Sequence, residues 1–212
     1  MQYIIMCGGQ YDRWDTPKQL SVVNGETLVE RTIKLLHENG VEDIAISSND
    51  PVFEQFGVPV LHHENTYHDA SDGHYGLWCD CFYPSDEPCC YLFGDVVFSP
   101  DAIKTIINTD TDDVEFFASA PPFSENYIKP WAEPFAFKVQ DQKHFKRSLL
   151  KVKELKPQFK RDPIAWECWQ VIKGTPINKI DYTNYTVIND YTCDIDGKKD
   201  IAKFNKIFSE ER

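Results

Sequence analysis

Positive charge is scarce in this chain. Its 22 Lys and Arg stand against 34 Asp and Glu, which leaves a net charge of -12. That deficit excludes a general nucleic-acid binder, because phosphate backbones are held by a surplus of Lys and Arg. A small anionic ligand in a local basic pocket remains compatible with it. Long apolar runs are absent as well. No stretch approaches the roughly 20 residues of a helical membrane span, so no membrane partner is expected. Met1-Gln2-Tyr3 runs straight into an apolar pattern, and no signal peptide is expected there. The seven cysteines are odd in number and lack the spacing of a disulfide framework. Reduced thiols in a cytoplasmic protein are the expectation. Cys79, Cys81, Cys89 and Cys90 also lack zinc-site spacing, and two of them stand on an apparent buried strand. Repeats, linkers and low-complexity segments are missing, so residues 1–212 are expected to form one domain.

The N-terminal stretch carries the strongest pattern. Tyr3-Ile4-Ile5-Met6-Cys7 is a short apolar run of the kind buried on both faces of a parallel sheet. Gly8 and Gly9 follow at once, then Arg13 and Lys18. Ligands of open α/β sheets bind beyond the carboxyl ends of such strands. Paired glycines let backbone N–H groups close on a phosphate, and nearby cations add charge to that cradle. A tight turn with two ordinary surface cations is the plain alternative.

Periodicity organises the remainder. Leu20 to Val23 reads as extended, with a turn at Asn24-Gly25, and a helix is predicted from Thr27 to Asn39 with Gly40 as its stop. Strands are predicted at 43–47, 58–61, 89–93, 114–119 and 134–139. Helices are predicted around 75–83, 100–108, 141–152 and 162–172, the last with Pro163 in its first turn. Residues 177–182 and 185–188 alternate like a terminal hairpin, and a final helix starts at Lys198. The expected architecture is an α/β fold, a single-domain Rossmann-like mixed β-sheet of the GT-A type flanked by helices, more antiparallel in its second half. Gly94-Asp95 closes the fourth strand on the same edge as Gly8, although a turn or capping Asp would look the same.

Four pieces then stand together: Gly8-Gly9 with Arg13 and Lys18, Gly94-Asp95, Lys129-Pro130, and Asp194-Ile195-Asp196 before the last helix. They resemble the nucleotidyltransferase superfamily of sugar-1-phosphate nucleotidylyltransferases, small cytidylyltransferases and the molybdenum-cofactor guanylyltransferase. The likeness is distributed over nearly the whole chain and is strongest through residue 47. There Pro17-Lys18-Gln19-Leu20-Ser21-Val22-Val23-Asn24-Gly25 and Gly40-Val41-Glu42-Asp43-Ile44 resemble the family's run. Tyr11 stands where the family has a third glycine, and Ile128 where it has the Glu of Glu-Lys-Pro.

The resemblance implies that Gly8 and Gly9 hold the nucleotide, Arg13 its β- and γ-phosphates and Lys18 its α-phosphate. It implies that Asp95 and Asp196 ligate Mg²⁺, with Asp194 in place of Asp196 if the register slips by two. Lys129 would face the acceptor's phosphate, and Asp72 and Gly73 lie where the family recognises the base. The partners implied are a nucleoside triphosphate and a small phosphorylated acceptor, foremost a sugar phosphate used in polysaccharide biosynthesis; a homo-oligomer is left open. A phosphocholine-type cytidylyltransferase and a GT-A glycosyltransferase with a nucleotide-sugar donor are the alternatives, and a non-catalytic binding module with the same fold is a third. Trp131 is the preferred acceptor-lining aromatic, against core packing for it and for Trp166 and Trp169. Glu133 is either an acceptor-hydroxyl ligand or a solvated rim residue. His62, His63, His68 and His74 read as surface residues, and the Lys-rich run from Lys146 to Lys160 as a solvated helix face.

Overall fold

An apolar run with no polar interruption becomes a strand because only a sheet interior buries both of its faces. In the computed structural model, which describes residues 1–8, 14–62, 78–123, 128–155 and 163–210, that run is β1 (Gln2–Met6), and Ile4 and Ile5 are fully buried. A 3-10 turn at Lys18–Leu20 leads to a hairpin of β2 (Val22–Val23) and β3 (Glu26–Thr27). Its turn residues Asn24 and Gly25 have φ of 53° and 86°, the left-handed pair that two-residue hairpins favour. Helix α1 (Leu28–Glu38) starts at a capping box, with Thr27 and Glu30 satisfying each other's free backbone N–H. Gly40 follows it at φ 77°.

Strands β4 (Ile44–Ser47), β5 (Val60–Leu61), β6 (Cys89–Phe93) and β7 (Val96–Val97) come next. Then follow α2 (Pro100–Asn108), β8 (Val114–Ser119), β9 (Pro134–Val139), α3 (Gln142–Leu155) and α4 (Ala165–Lys173). The chain closes with β10 (Thr186–Ile188), β11 (Cys193–Asp194) and α5 (Lys198–Glu210). The main sheet has the order β10-β8-β9-β6-β1-β4-β5, flanked by helices. It is a mixed α/β sheet of Rossmann-like type in which β9 alone runs against its neighbours. Phe116 and Phe137 stack across β8 and β9 with centroids 4.5 Å apart. Each fully buried ring of that kind contributes roughly 2–3 kcal/mol.

Three expectations are corrected. Residues 177–182 form no strand, and β10 joins β8 in parallel register instead of closing a hairpin. The carbonyls of Pro176 and Lys179 accept hydrogen bonds from the Gln170 side chain, and Tyr182 packs edge-on to Trp166. Those contacts hold the segment on α4 and away from a strand partner. The helix expected around 75–83 is, in its described part, a 3-10 turn at Trp78–Cys81. Pro84 disfavours helical geometry at Tyr83, whose carbonyl accepts from the Tyr91 hydroxyl at 2.5 Å. Helix α4 begins three residues later than expected, so Pro163 precedes it rather than entering its first turn.

A second, smaller core matters more for function. Val23, Leu28, Val97, Ile128, Cys193, Ile195, Phe204 and Phe208 pack together beside the main sheet. It seats α5 against the β2 hairpin and the short antiparallel pair of β7 and β11.

Candidate active site

Strands β1 and β6 lie side by side in parallel, so their carboxyl ends open onto one edge. There the two backbones approach closely. Gly94 donates its N–H to the Met6 carbonyl at 3.0 Å. A Cβ at Gly94 would meet that carbonyl and stand 2.9 Å from the Cys7 sulfur, so only glycine fits without a shift. This contact places Asp95 immediately beyond the edge. Gly8, Gln19, Cys81, Phe93, Gly94 and Asp95 line a cleft there.

Lys18, on the 3-10 turn after the glycine loop, forms an ion pair with Asp95. Burial works against its ammonium, but the Asp95 carboxylate, with Asp194 and Asp196 behind it, raises its pKa well above the ordinary lysine value. The late aspartates arrive through alternation. Cys193 and Ile195 are fully buried in the small core, so Asp194 and Asp196 project from the opposite side. Asp194 pairs across to Val96, and the Ile195 N–H donates to the Asp95 carbonyl at 2.9 Å. The alternation serves both aspartates. Lys129 binds each of them, Asp196 at 2.6 Å.

Lys129 is 2% exposed, and its ammonium also lies 3.4 Å from Glu133. Its pKa stands above the ordinary lysine value: burial opposes this, and the Asp194 and Glu133 charges outweigh burial. Burial, with Asp95 adding to it, pushes the Asp194 carboxyl up to about 6 against the pull of Lys129. Glu133 is pushed up to about 8, first by burial and then by Asp194. Asp196 behaves oppositely. Burial would raise it, but the Lys129 hydrogen bond and charge hold it below the ordinary carboxylate value. The cluster thus carries more negative charge than its two lysines neutralise. Its donors are mostly carboxylate oxygens, which suit a hard divalent cation. Glu133, Cys193 and Asp194 also present ligand atoms within 4.8 Å of one another, and the thiol among them would suit a softer ion.

The expected site residues fall into three groups. Gly8, Lys18, Asp95, Lys129, Glu133 and Asp196 come together at this edge, with Asp194 among them. Trp131 stands beside them, 53% exposed, its indole N–H donating to Glu133 and its ring centroid 5.9 Å from the Lys129 ammonium. Gly9, Arg13, Asp72 and Gly73 lie outside the described residues. Trp166 and Trp169 are core residues packed on Phe116. Ile128 is buried in the small core. The sequence reading missed Gln19 and Cys193. Gln19 is 2% exposed, and its Oε1 has no hydrogen-bond partner among the described residues. A polar residue beside Lys18 inside an apolar-turn pattern was the available signal for it. Cys193 had none, being one small residue in a polar stretch.

Residues 3–149 match the MobA-like NTP transferase domain family, well over half of the 212 residues. The chain belongs to that family. Solved structures with the same fold include the inositol-1-phosphate CTP transferase from T. maritima, 18% identical over 97% of this chain and 95% of the other, with a TM-score of 0.55. The CTP:phosphocholine cytidylyltransferase from Streptococcus pneumoniae is 18% identical over 98% of both chains, with a TM-score of 0.56. HddC from Yersinia pseudotuberculosis, solved with GMP-PN, is 13% identical over 98% and 99%, at a TM-score of 0.54. Among the described residues, no helix of this family member is long and apolar enough to cross a membrane.

Proposed function

We propose that this family member transfers a nucleoside monophosphate from a nucleoside triphosphate to a small phosphorylated acceptor, foremost a sugar phosphate, and releases pyrophosphate. The observation that carries this reading is the linked set of Lys18, Asp95, Asp194, Asp196 and Lys129 at the carboxyl edge of the sheet. In the reaction an acceptor phosphate oxygen forms a bond to the α-phosphorus in line, and the bond from that phosphorus to the departing pyrophosphate breaks. The attacking phosphate, with a second pKa of ~6, is already an anion at neutral pH, so no general base is required. The obstacle is repulsion between two anions, met by cations and by positioning.

Lys18 is assigned to the α-phosphate, where its ammonium would offset charge spreading in the transition state. Lys129 is assigned to the acceptor's phosphate. Gly8 and Gly9 are assigned to the nucleotide, Arg13 to the β- and γ-phosphates, and Asp72 and Gly73 to the base. Asp95 and Asp196, with Asp194 between them, are the residues that would hold Mg²⁺. When bound, that ion would neutralise charge shared between the phosphates, taking one or two carboxylates and keeping several waters.

Trp131 and Glu133 are assigned to the acceptor. An exposed indole face accepts a sugar ring, and it also accepts a quaternary ammonium group. The Glu133 carboxyl group beside Trp131 supports a phosphocholine-type acceptor as the second reading. Pyrophosphate release from CTP, UTP, dTTP and GTP, each paired with sugar phosphates and with phosphocholine, tests both. Release with one pair supports transfer and names the acceptor. Consumption of a nucleotide sugar without pyrophosphate would replace this reading with glycosyl transfer.

A further inference from the structure

Lys129 combines deep burial with a ring of acidic partners. Its ammonium is almost fully enclosed, and Asp194, Asp196 and Glu133 all stand against it. A lysine that only awaited a phosphate would rest in solvent or on one carboxylate. This one occupies the oxygens of the two late aspartates. Even with Glu133 protonated, the carboxylates of Asp95, Asp194 and Asp196 outnumber the ammonium groups of Lys18 and Lys129, so the cluster keeps a net negative charge that favours a cation. Lys129 and such a cation cannot hold the same oxygens together without strong repulsion.

The surroundings provide for displacement. The lysine stem is flexible and its head is a point charge, so it can move without breaking a planar fork such as Arg would form. Trp131 presents a half-exposed ring 5.9 Å from the ammonium. An aromatic face is a low-cost station for a cation leaving carboxylates. Glu133, held by the indole N–H, keeps one acidic partner on that side.

We infer that Lys129 is an exchangeable internal counter-ion. It holds Asp194 and Asp196 in the metal-free protein, and its ammonium is released toward the acceptor's phosphate when those carboxylates take a divalent cation. This deepens the proposed reaction and rests on it for the identity of the acceptor. It makes Lys129 a positioning residue as well as a phosphate ligand, and it makes acceptor binding depend on prior metal binding. Each lost competitor should therefore appear as gained metal affinity.

Mn²⁺ alone, titrated calorimetrically into the whole chain, provides the test. Lys129→Met should bind Mn²⁺ roughly tenfold or more tightly than the wild type, a difference of about 1.4 kcal/mol. Lys129→Arg, which keeps the charge, should bind it no more tightly than the wild type. Equal or weaker Mn²⁺ binding by Lys129→Met would mean that the lysine merely scaffolds the aspartates, and the inference would fall. A Lys129→Arg as tight as Lys129→Met would overturn it too, since charge would not be the cause. A wild-type measurement covers the case of a variant that does not fold. Acylation of Lys129 by an amine reagent, followed by mass spectrometry, should be slow without metal and faster with Mn²⁺. An unchanged or slower rate would also overturn it. Pyrophosphate release by the wild type is measured separately, so failure of the reaction and failure of the exchange are distinguishable.

Discussion

At the scale of single residues, the site depends on charges placed where water is scarce. The Lys18–Asp95 pair is about four-fifths shielded from solvent, so removing either partner strands the other. Lys18→Ala is expected to lower pyrophosphate release by roughly a factor of 10²–10³, the usual cost of one lost transition-state donor. Its thermal midpoint should move only a few degrees. Turnover that survives intact would remove Lys18 from the reaction. Gly94→Ala is a different kind of probe, because it acts through backbone contact. The added methyl collides with the Met6 carbonyl, and a cost of roughly 1–3 kcal/mol is expected from denaturant midpoints. A Gly94→Ala midpoint equal to the wild type would show that the β1 and β6 ends do not approach as described. Much of this scale was legible in advance. Lys18 and Asp95 stand out from the glycine turn and the strand end, whereas Lys129 and Asp196 were marked by the resemblance to the family. Cys193 was not legible, because burial of a small side chain leaves no periodic trace, and Gln19 showed only as a polar residue beside Lys18.

Among the elements, termini and alternation decide where the side chains go. The capping box of α1 is expected to contribute about 1 kcal/mol, measurable as the destabilisation of Thr27→Ala. Its pH dependence has a definite sign. Hydrogen bonds from the Thr27 N–H, and then its hydroxyl, hold the Glu30 carboxyl below its ordinary 4.5. A carboxyl depressed in the folded state contributes stability that is present above its unfolded value and is lost as pH falls through the folded one. The stability gap between wild type and Glu30→Gln should therefore narrow below pH 4.5. A gap that widens in acid would contradict the cap. The β11 segment obeys a period of two, and its inward residues Cys193 and Ile195 are what make Asp194 and Asp196 neighbours. Ile195→Ala should cost roughly 2–4 kcal/mol of stability and weaken Mn²⁺ binding, since the aspartates lose their support. The sequence pattern left Asp194 and Asp196 as alternatives because spacing alone cannot tell a two-residue slip from the true register. Pairing with β7 turns both toward Lys129 and keeps both as candidates for the metal. The 177–182 segment misled for a related reason. Its alternation is real, but the Gln170 side chain claims the Lys179 carbonyl, and that of Pro176 just before the segment, ahead of any neighbouring strand.

For the whole molecule, the fold was legible wherever a run was apolar without interruption, as in β1 and β6, or kept a helical period, as in α1, α2 and α5. The parallel course of β10 was not, because strand direction depends on where the chain crosses and not on the strand's own residues. The small core was equally hidden. Its members come from residues 23 to 208, and nothing local in the sequence joins them. Yet that core is what brings the late aspartates to the glycine-loop end of the sheet, and so it links fold to chemistry. The acidic surplus of the chain has a counterpart at the site, where carboxylates outnumber the lysines that join them. A protein built this way should need a divalent cation to bring a triphosphate and a second phosphate together. The most direct measurement is pyrophosphate release by the purified chain, given a nucleoside triphosphate, a phosphorylated acceptor and Mg²⁺. The account predicts release that needs both substrates, stops in chelator and is lost with Asp95→Asn; release that persists in chelator, or none with any pairing of triphosphate and acceptor, would contradict it.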